Sequence, residues 1–266
     1  MNLTPLNITI ISLSLIFIAT TLGSMLVFFF KKNFSDKTNN IIIGLASGIM
    51  IAASFFGLLN PAIEEATKTY HKLAFLPVVG GFLFGGLFLY LLDKIIPHFH
   101  KTSDEEEGIK TNKITKNTKF FLAVTMHNIP EGIAVGLACG LAFTNQSEVA
   151  MMSALSLAIG IAIQNFPEGA AVSIPLLEDG LSKNKAFLIG VSSGIVEPIF
   201  GILTFFLASY LTVTLPYLLA FAAGAMFYVT IEELLPEARR GNYIHYGLWS
   251  FMIGFAIMMI LEITLS

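Results

Sequence analysis

Eight apolar runs, each close to the length that crosses a lipid bilayer, constrain the fold of this chain more than any other feature. They cover residues 6–30, 41–59, 74–95, 120–142, 149–177, 184–209, 214–235 and 243–265. A helix needs about 20 apolar residues to cross the hydrocarbon core, and only 12% of the chain is charged. We therefore predict an all-α polytopic membrane protein with eight transmembrane helices in a single transmembrane domain, residues 1–266.

The basic residues predict how these helices are oriented. Lys and Arg near the ends of membrane spans are retained on the cytoplasmic side. With the N-terminus outside, 13 of the 15 Lys and Arg residues fall on the cytoplasmic side, and only Lys68 and Lys72 fall outside. We therefore expect both termini to be extracytoplasmic in a multi-pass protein of the cell (plasma or inner) membrane.

The longest connection between runs, about residues 96–119, is cytoplasmic in this arrangement. It holds His98, His100 and the acidic run 104–107. Its polar, Lys-rich composition is typical of a solvated linker, whereas its histidines and carboxylates could also collect metal ions weakly on the release side. The sequence leaves both interpretations open.

An internal repeat occupies the fourth and fifth runs. Residues 127–135 read HNIPEGIAV and residues 164–172 read QNFPEGAAV, so the pattern N-x-P-E-G-x-A-V recurs after 37 positions. A fainter echo relates ASGIM at 46–50 to AAGAM at 222–226. Because consecutive spans run in opposite directions, the strong motif is presented twice with inverted polarity, as in inverted-repeat transporters whose site lies near the midplane.

Three carboxylates, Glu131, Glu168 and Glu197, lie deep inside apolar runs. A charged side chain at mid-bilayer costs about 3 kcal/mol on insertion scales, or roughly 9 kcal/mol for three that are ionised and unpaired. No Lys or Arg lies at comparable depth, so protonation or a bound cation must compensate. Pro130 and Pro167 each free a backbone carbonyl one turn back, and lipid tolerates that defect only where neighbours, water or an ion satisfy it.

Candidate metal ligands recur at helical spacing in both copies of the motif. Residues three or four positions apart share a helix face. This spacing holds for His127, Asn128 and Glu131 in the first copy and for Gln164, Asn165 and Glu168 in the second. Imidazole nitrogen with carboxylate and amide oxygen suits Zn²⁺ and neighbouring first-row divalent ions better than Na⁺ or K⁺, so these residues predict a metal site between the two helices.

The paired motifs HNIPEG and QNFPEG resemble those of the ZIP family of zinc and iron transporters, and the flanking sequence is similar to its GufA-like branch. The resemblance covers nearly the whole chain. It implies uptake of a divalent metal ion, Zn²⁺ above all, through a centre between helices four, five and six that can be binuclear. It is compatible with Fe²⁺, Mn²⁺, Co²⁺ and Cd²⁺ as further substrates. A homodimer is implied by the family alone, and we expect no organic cofactor and no nucleic-acid partner.

The resemblance also assigns residues to two metal positions. The first is implied to comprise His127, Glu131, Gln164 and Glu168. The second is implied to comprise Asn128, Asn165 and Glu197, with Glu131 and Glu168 shared. Met50 matches a thioether position bordering the first, although Met on an apolar helix is usually a core residue. Some family members carry Asp at the position of Asn165.

Further acidic residues lie near the ends of two runs. Glu232, Glu233 and Glu237 lie near the cytoplasmic end of the seventh run, where the family resemblance suggests a place in the release path and a solvated helix end is the equal alternative. Glu64 and Glu65 lie just beyond the second run and could attract cations electrostatically. For this second pair a simple solvated helix end is the favoured interpretation.

Two other functions compete with metal transport. An intramembrane metallohydrolase would normally show HExxH or a comparable motif with an open coordination position, whereas this chain has HNxPE, so we do not expect an enzyme. A proton-coupled secondary transporter or channel for a non-metal substrate is the main alternative. The chain has no P-loop GxxxxGK[ST], which indicates transport driven by the metal gradient, the membrane potential or coupled ions.

Overall fold

This computed structural model describes residues 4–29, 35–95, 98–99, 106–107, 116–178, 180–210 and 212–265. Its α-helices are α1 (Pro5–Met25), α2 (Asp36–Ala53), α3 (Asn60–Tyr70), α4 (Phe75–Ile95), α5 (Lys116–Asn145), α6 (Glu148–Glu178), α7 (Lys183–Gly194), α8 (Val196–Tyr210), α9 (Leu215–Val229), α10 (Leu235–Ala238) and α11 (Ile244–Leu265). π-Helical segments follow α2 (Ser54–Leu59) and α9 (Thr230–Leu234). The architecture is helical, as the apolar runs predict.

The connection between α4 and α5 contains a short antiparallel ladder. Strand β1 (His98–Phe99) pairs with β2 (Glu106–Glu107). Residues 100–105 and 108–115, including His100, lie outside the described part of the chain. The weak metal-collecting role considered for this loop therefore stays a prediction.

Seven helical segments among the described residues are long and apolar enough to cross a membrane. They are Pro5–Phe28, Asp36–Leu73, Phe75–Ile95, Glu148–Leu177, Lys183–Ala208, Leu215–Ala238 and Gly241–Leu265. Helix α5, with 30 residues, would reach about 45 Å at 1.5 Å per residue, which is long enough to cross a membrane, but it is not among these seven segments. Membrane-length apolar helices are thus confirmed for seven of the eight runs, and the eighth span stays a prediction.

The helices pack most extensively in four pairs, α1 with α6, α5 with α8, α2 with α11 and α4 with α9. In the order of the apolar runs, the first pairs with the fifth, the fourth with the sixth, the second with the eighth and the third with the seventh. Suppose that runs one, two and three are exchanged with runs six, seven and eight in that order, and run four with run five. Each packed pair of runs then becomes another of the four packed pairs. This is the packing expected of an internal repeat.

The fainter repeat also has a structural counterpart. Helix α2 passes into a π-helical segment at Ser54, and α9 passes into one at Thr230. In both, the hydroxyl donates at 2.7 Å to the carbonyl oxygen four residues back, from Ser54 to Met50 and from Thr230 to Met226. Because π-helical segments are rare and frequent at functional sites, both are candidates for elements that shape an ion path.

Helices α5 and α8 approach closely beside Glu197. A Cβ atom on Gly132 would lie 2.7 Å from the Cα atom of Glu197 and 2.9 Å from its carbonyl carbon. Backbone atoms cannot rotate away, so we expect Gly132→Ala to destabilise the fold by about 1–3 kcal/mol through overpacking. The measurement is the melting temperature of the purified protein in detergent.

Gly80 on α4 offers the matched control for that substitution. A Cβ atom there would meet nothing within 4 Å, so Gly80→Ala is expected to melt as the unsubstituted protein does. If Gly132→Ala melted at the same temperature as Gly80→Ala, the close approach of α5 to Glu197 would be wrong.

Candidate metal centre

The two copies of the repeated motif lie in α5 and α6, which continue through Pro130 and Pro167 without a break. The polar residues of both motifs face the protein interior. The following are buried: His127, Asn128, Glu131, Gln164, Asn165 and Glu197. Glu168 is partly buried. Helical spacing alone predicts which residues share a face, and the packing of α5 against α6 and α8 brings those faces together.

A hydrogen bond joins the two copies directly. The Nε2 atom of Gln164 donates to Oε1 of Glu131 and also to Oδ1 of Asn165 at 2.9 Å. Glu168 lies close enough for its charge to act on His127, Glu131 and Glu197. The three carboxylates predicted to share a site therefore lie within electrostatic reach of one another.

Glu197 lies in the first turn of α8 and accepts hydrogen bonds from two other helices. Asn165 Nδ2 of α6 donates to its Oε2 atom at 2.8 Å, and Thr20 Oγ1 of α1 donates to its Oε1 atom at 3.0 Å. Asn165 Nδ2 also approaches the carbonyl oxygen of Ile16 at 3.4 Å. The first helix thus takes part in this site. Thr20 could not be identified from the sequence, because the hydroxyl of a threonine in an apolar helix usually donates a hydrogen bond only to the backbone of its own helix.

His127 points toward the end of α9. Its Nε2 atom lies 2.8 Å from Oε1 of Glu233, so this glutamate is part of the centre's surroundings rather than a solvated helix end. Asp93, buried in the last turns of α4, interacts with Glu232, Glu233 and His127. The sequence carries a signal for Asp93, which is an acidic residue within the apolar run LLDKII, outside the repeated motif.

The remaining predicted ligands have separate contacts. Asn128 Nδ2 donates to the backbone oxygen of Ser193 at 2.9 Å. The buried sulfur of Met50 accepts from the hydroxyl of Thr230 at 3.8 Å. Met50 therefore lies beside the π-helical segment that also carries Glu233, and its role as a metal ligand stays a prediction.

Three buried oxygens in the motifs have no hydrogen-bond partner among the described residues: Oδ1 of Asn128, Oε2 of Glu131 and Oε1 of Gln164. Buried polar atoms are normally satisfied, so each such oxygen needs an explanation. Carboxylate and amide oxygens beside an imidazole suit divalent first-row ions. The residues therefore fit a divalent ion passing between α5 and α6.

The side chains are nevertheless held by hydrogen bonds to one another. Within the described residues, no three His, Cys, Asp or Glu side chains already form a cluster able to hold a metal ion. Gln164 is hydrogen-bonded to one oxygen of Glu131, and Glu233 is hydrogen-bonded to the Nε2 atom of His127. An entering ion must displace these two contacts.

A second polar region lies at the far end of α5. A cavity of about 380 Å³ is lined there by Glu64, Glu65 and Glu262 together with Asn145 and Lys68. Glu65 forms an ion pair with Lys68 at 2.7 Å, and Glu262 accepts from Ser153 at 2.7 Å. Glu64 and Glu65, which the sequence suggested were simply solvated, therefore border a cavity.

Comparison with known proteins gives a consistent result. A family model described as ZIP Zinc transporter matches residues 6–120 and 116–262. Zinc transporter ZIP11 of Homo sapiens is 33% identical, covering 93% of this chain and 94% of the relative. Zinc transporter GufA of Myxococcus xanthus is 36% identical, covering 93% and 95%. Zinc transporter ZIPB of Bordetella bronchiseptica is 32% identical, covering 94% and 79%.

Proposed function

This chain belongs to the ZIP family of zinc transporters, and from that membership we propose that it takes up Zn²⁺ into the cytoplasm through the centre between α5, α6 and α8. The family resemblance expected from the paired motifs is thereby confirmed. The observation that carries the proposal is the meeting of both motif copies at Glu131 and Gln164, with three buried oxygens left unsatisfied.

Transport, rather than catalysis, is the function that family membership assigns. The relatives are named zinc transporters, which removes the basis for a metallohydrolase. A non-metal secondary transporter is the weaker candidate, because imidazole, amide and carboxylate groups at helical spacing suit a divalent metal ion. Zn²⁺ is the principal substrate, and Fe²⁺, Mn²⁺, Co²⁺ and Cd²⁺ are further candidates because nitrogen and oxygen ligands accept all of them.

The proposed ligands of the transported ion are those the motifs predict. His127, Glu131, Gln164 and Glu168 supply the first position, and Met50 borders it. Asn128 adds an unsatisfied amide oxygen. The family resemblance assigns a second position to Asn165 and Glu197.

The proposed topology has eight spans with both termini outside, in the plasma or inner membrane, and one transmembrane domain over residues 1–266. Seven membrane-length segments support it, as does the length of α5. The distribution of Lys and Arg supports the orientation. Given eight crossings, the helices exchanged by the internal repeat run in opposite directions, so the repeat is inverted.

The proposed path crosses the protein from the cavity at the end of α5 to the opposite side. Glu64, Glu65 and Glu262 border that cavity on the outer side. The ion then reaches the motifs and leaves past Glu233 and Asp93 toward the cytoplasm. Acidic side chains therefore lie on both the outer and the inner side of the buried centre.

A homodimer in the lipid bilayer is a further expectation from the family, testable by cross-linking in membranes.

Competition uptake in liposomes tests the function. Purified protein reconstituted into liposomes that contain a zinc-sensitive dye is expected to admit Zn²⁺ faster than protein-free liposomes. Excess Fe²⁺, Mn²⁺, Co²⁺ or Cd²⁺ should slow that entry in proportion to its own affinity, whereas Na⁺ should not. Entry no faster than into protein-free liposomes, together with metal-dependent cleavage of a test peptide, would instead favour an enzyme.

A further inference from the structure

Glu197 differs from the other carboxylates of the centre in how it is satisfied. It is fully buried, and each of its two oxygens accepts a hydrogen bond, Oε1 from Thr20 at 3.0 Å and Oε2 from Asn165 at 2.8 Å. By contrast, Glu131 has one oxygen with no hydrogen-bond partner. The unsatisfied oxygens of the centre therefore lie on α5 and α6, and not on Glu197.

The neighbours of Asn165 determine which way its amide points. Its Oδ1 atom accepts from Gln164 Nε2 at 2.9 Å, while its Nδ2 atom donates to Glu197. Turning the amide over would set oxygen against the carboxylate of Glu197 and nitrogen against the nitrogen of Gln164. Both contacts would be repulsive, because two acceptors or two donors would face each other. The NH₂ group therefore faces Glu197.

That NH₂ group occupies the place where an ion shared between positions 165 and 197 would have to lie. Its hydrogens carry partial positive charge, so they repel a cation there. Thr20 donates to the other oxygen of Glu197. Both oxygens of Glu197 are thus directed at protein donors.

We propose that Thr20 and Asn165 hold Glu197 as a hydrogen-bonded carboxylate that does not ligate the metal, so that the centre carries one divalent ion at a time. Thr20 of α1 is a positioning residue in this arrangement. The inference rests on the proposed function, because it concerns the same centre. It replaces the second metal position that the family resemblance assigns to Asn165 and Glu197.

The test counts and locates Cd²⁺ in the full-length protein, because the anomalous scattering of Cd²⁺ marks each ion in a crystal. At pH 8 the unsubstituted protein is expected to show one Cd²⁺ between α5 and α6. Asn165→Asp should show a second ion against Glu197, since an ionised carboxylate in place of the amide attracts a cation instead of repelling it. Glu197→Gln should keep the single ion, because its amide can still bond with both Asn165 and the hydroxyl of Thr20.

Substitutions of Thr20 test its positioning role in the same maps. Thr20→Val removes the donor, so the carboxylate of Glu197 should turn toward the bound Cd²⁺. Thr20→Ser keeps the hydroxyl and should restore the original distance between Glu197 and the ion. An unchanged distance in Thr20→Val would contradict the role of Thr20.

The outcomes separate this inference from the proposed function. Two ions at the centre of the unsubstituted protein, or a single ion in a folded Asn165→Asp variant, would overturn the inference while Zn²⁺ uptake stays intact. If Asn165→Asp does not fold, Glu197→Gln decides alone, because a two-ion centre should lose one ion in that variant. No Cd²⁺ at the centre together with no uptake would overturn both proposals.

Discussion

Zn²⁺ uptake into liposomes is expected to fall at least about tenfold when either Glu168 or His127 is replaced by alanine, since even outer-shell partners of metal ligands typically contribute 10–100-fold in affinity or activity. Glu168 acts electrostatically on His127 and on both Glu131 and Glu197, so its loss removes charge from the whole centre. His127 supplies the imidazole of the site. The measurement is the initial uptake rate of purified, reconstituted protein.

Two exposed residues give matched controls. Glu148, the control for Glu168, lies in the first turn of the same helix, α6. His245, the control for His127, is the second residue of α11. Alanine at either of these exposed positions should leave the uptake rate unchanged. All variants should elute from gel filtration as the unsubstituted protein does. Wild-type rates for both Glu168→Ala and His127→Ala would show that the site has been assigned to the wrong residues.

Replacing Glu233 by alanine should separate binding from transport. Glu233 holds the Nε2 atom of His127 at 2.8 Å, so an entering ion has to compete with it for the imidazole. Without this competitor, Zn²⁺ binding in detergent is expected to be retained or to become tighter. Uptake should nevertheless fall by about tenfold, a change of about 1.4 kcal/mol, because the carboxylate that receives the departing ion is missing.

Asp36→Ala serves as the control for Glu233→Ala. Asp36 is an exposed acidic residue at the start of α2, on the same side of the protein in the proposed topology. Both binding and uptake should match the unsubstituted protein in this variant. Parallel losses of binding and uptake in Glu233→Ala would instead identify Glu233 as a ligand of the ion at rest.

The helices could be predicted from the sequence because their cause is local. A run of about 20 apolar residues is sufficient to predict a membrane-length helix, and seven of the eight runs have that form. Spacing of three or four residues similarly predicted that His127 and Glu131 share a face. Helix α5, which carries the polar residues of the first motif copy, is the run that is not among these segments.

The partners of the motif residues could not be predicted, because they come from helices distant in sequence. Thr20 is 177 positions from Glu197 and His127 is 106 from Glu233, and no local pattern relates such residues. The burial of Asp93 beside Glu232 likewise depends on α4 packing against α9. Asn165 shows the same limit, since its residue type suggests a ligand whereas its Nδ2 atom donates to Glu197, 32 positions away.

The order of the residues along the chain was enough to reveal a helical membrane protein, its repeated motif and the chemical class of ion it handles, because hydrophobicity and helical period act over a few turns. Packing between helices decided which oxygens remain open to an ion and which are already bonded. That choice depends on distances of about 3 Å between side chains of different helices, and only the folded arrangement of α1, α5, α6, α8 and α9 sets those distances.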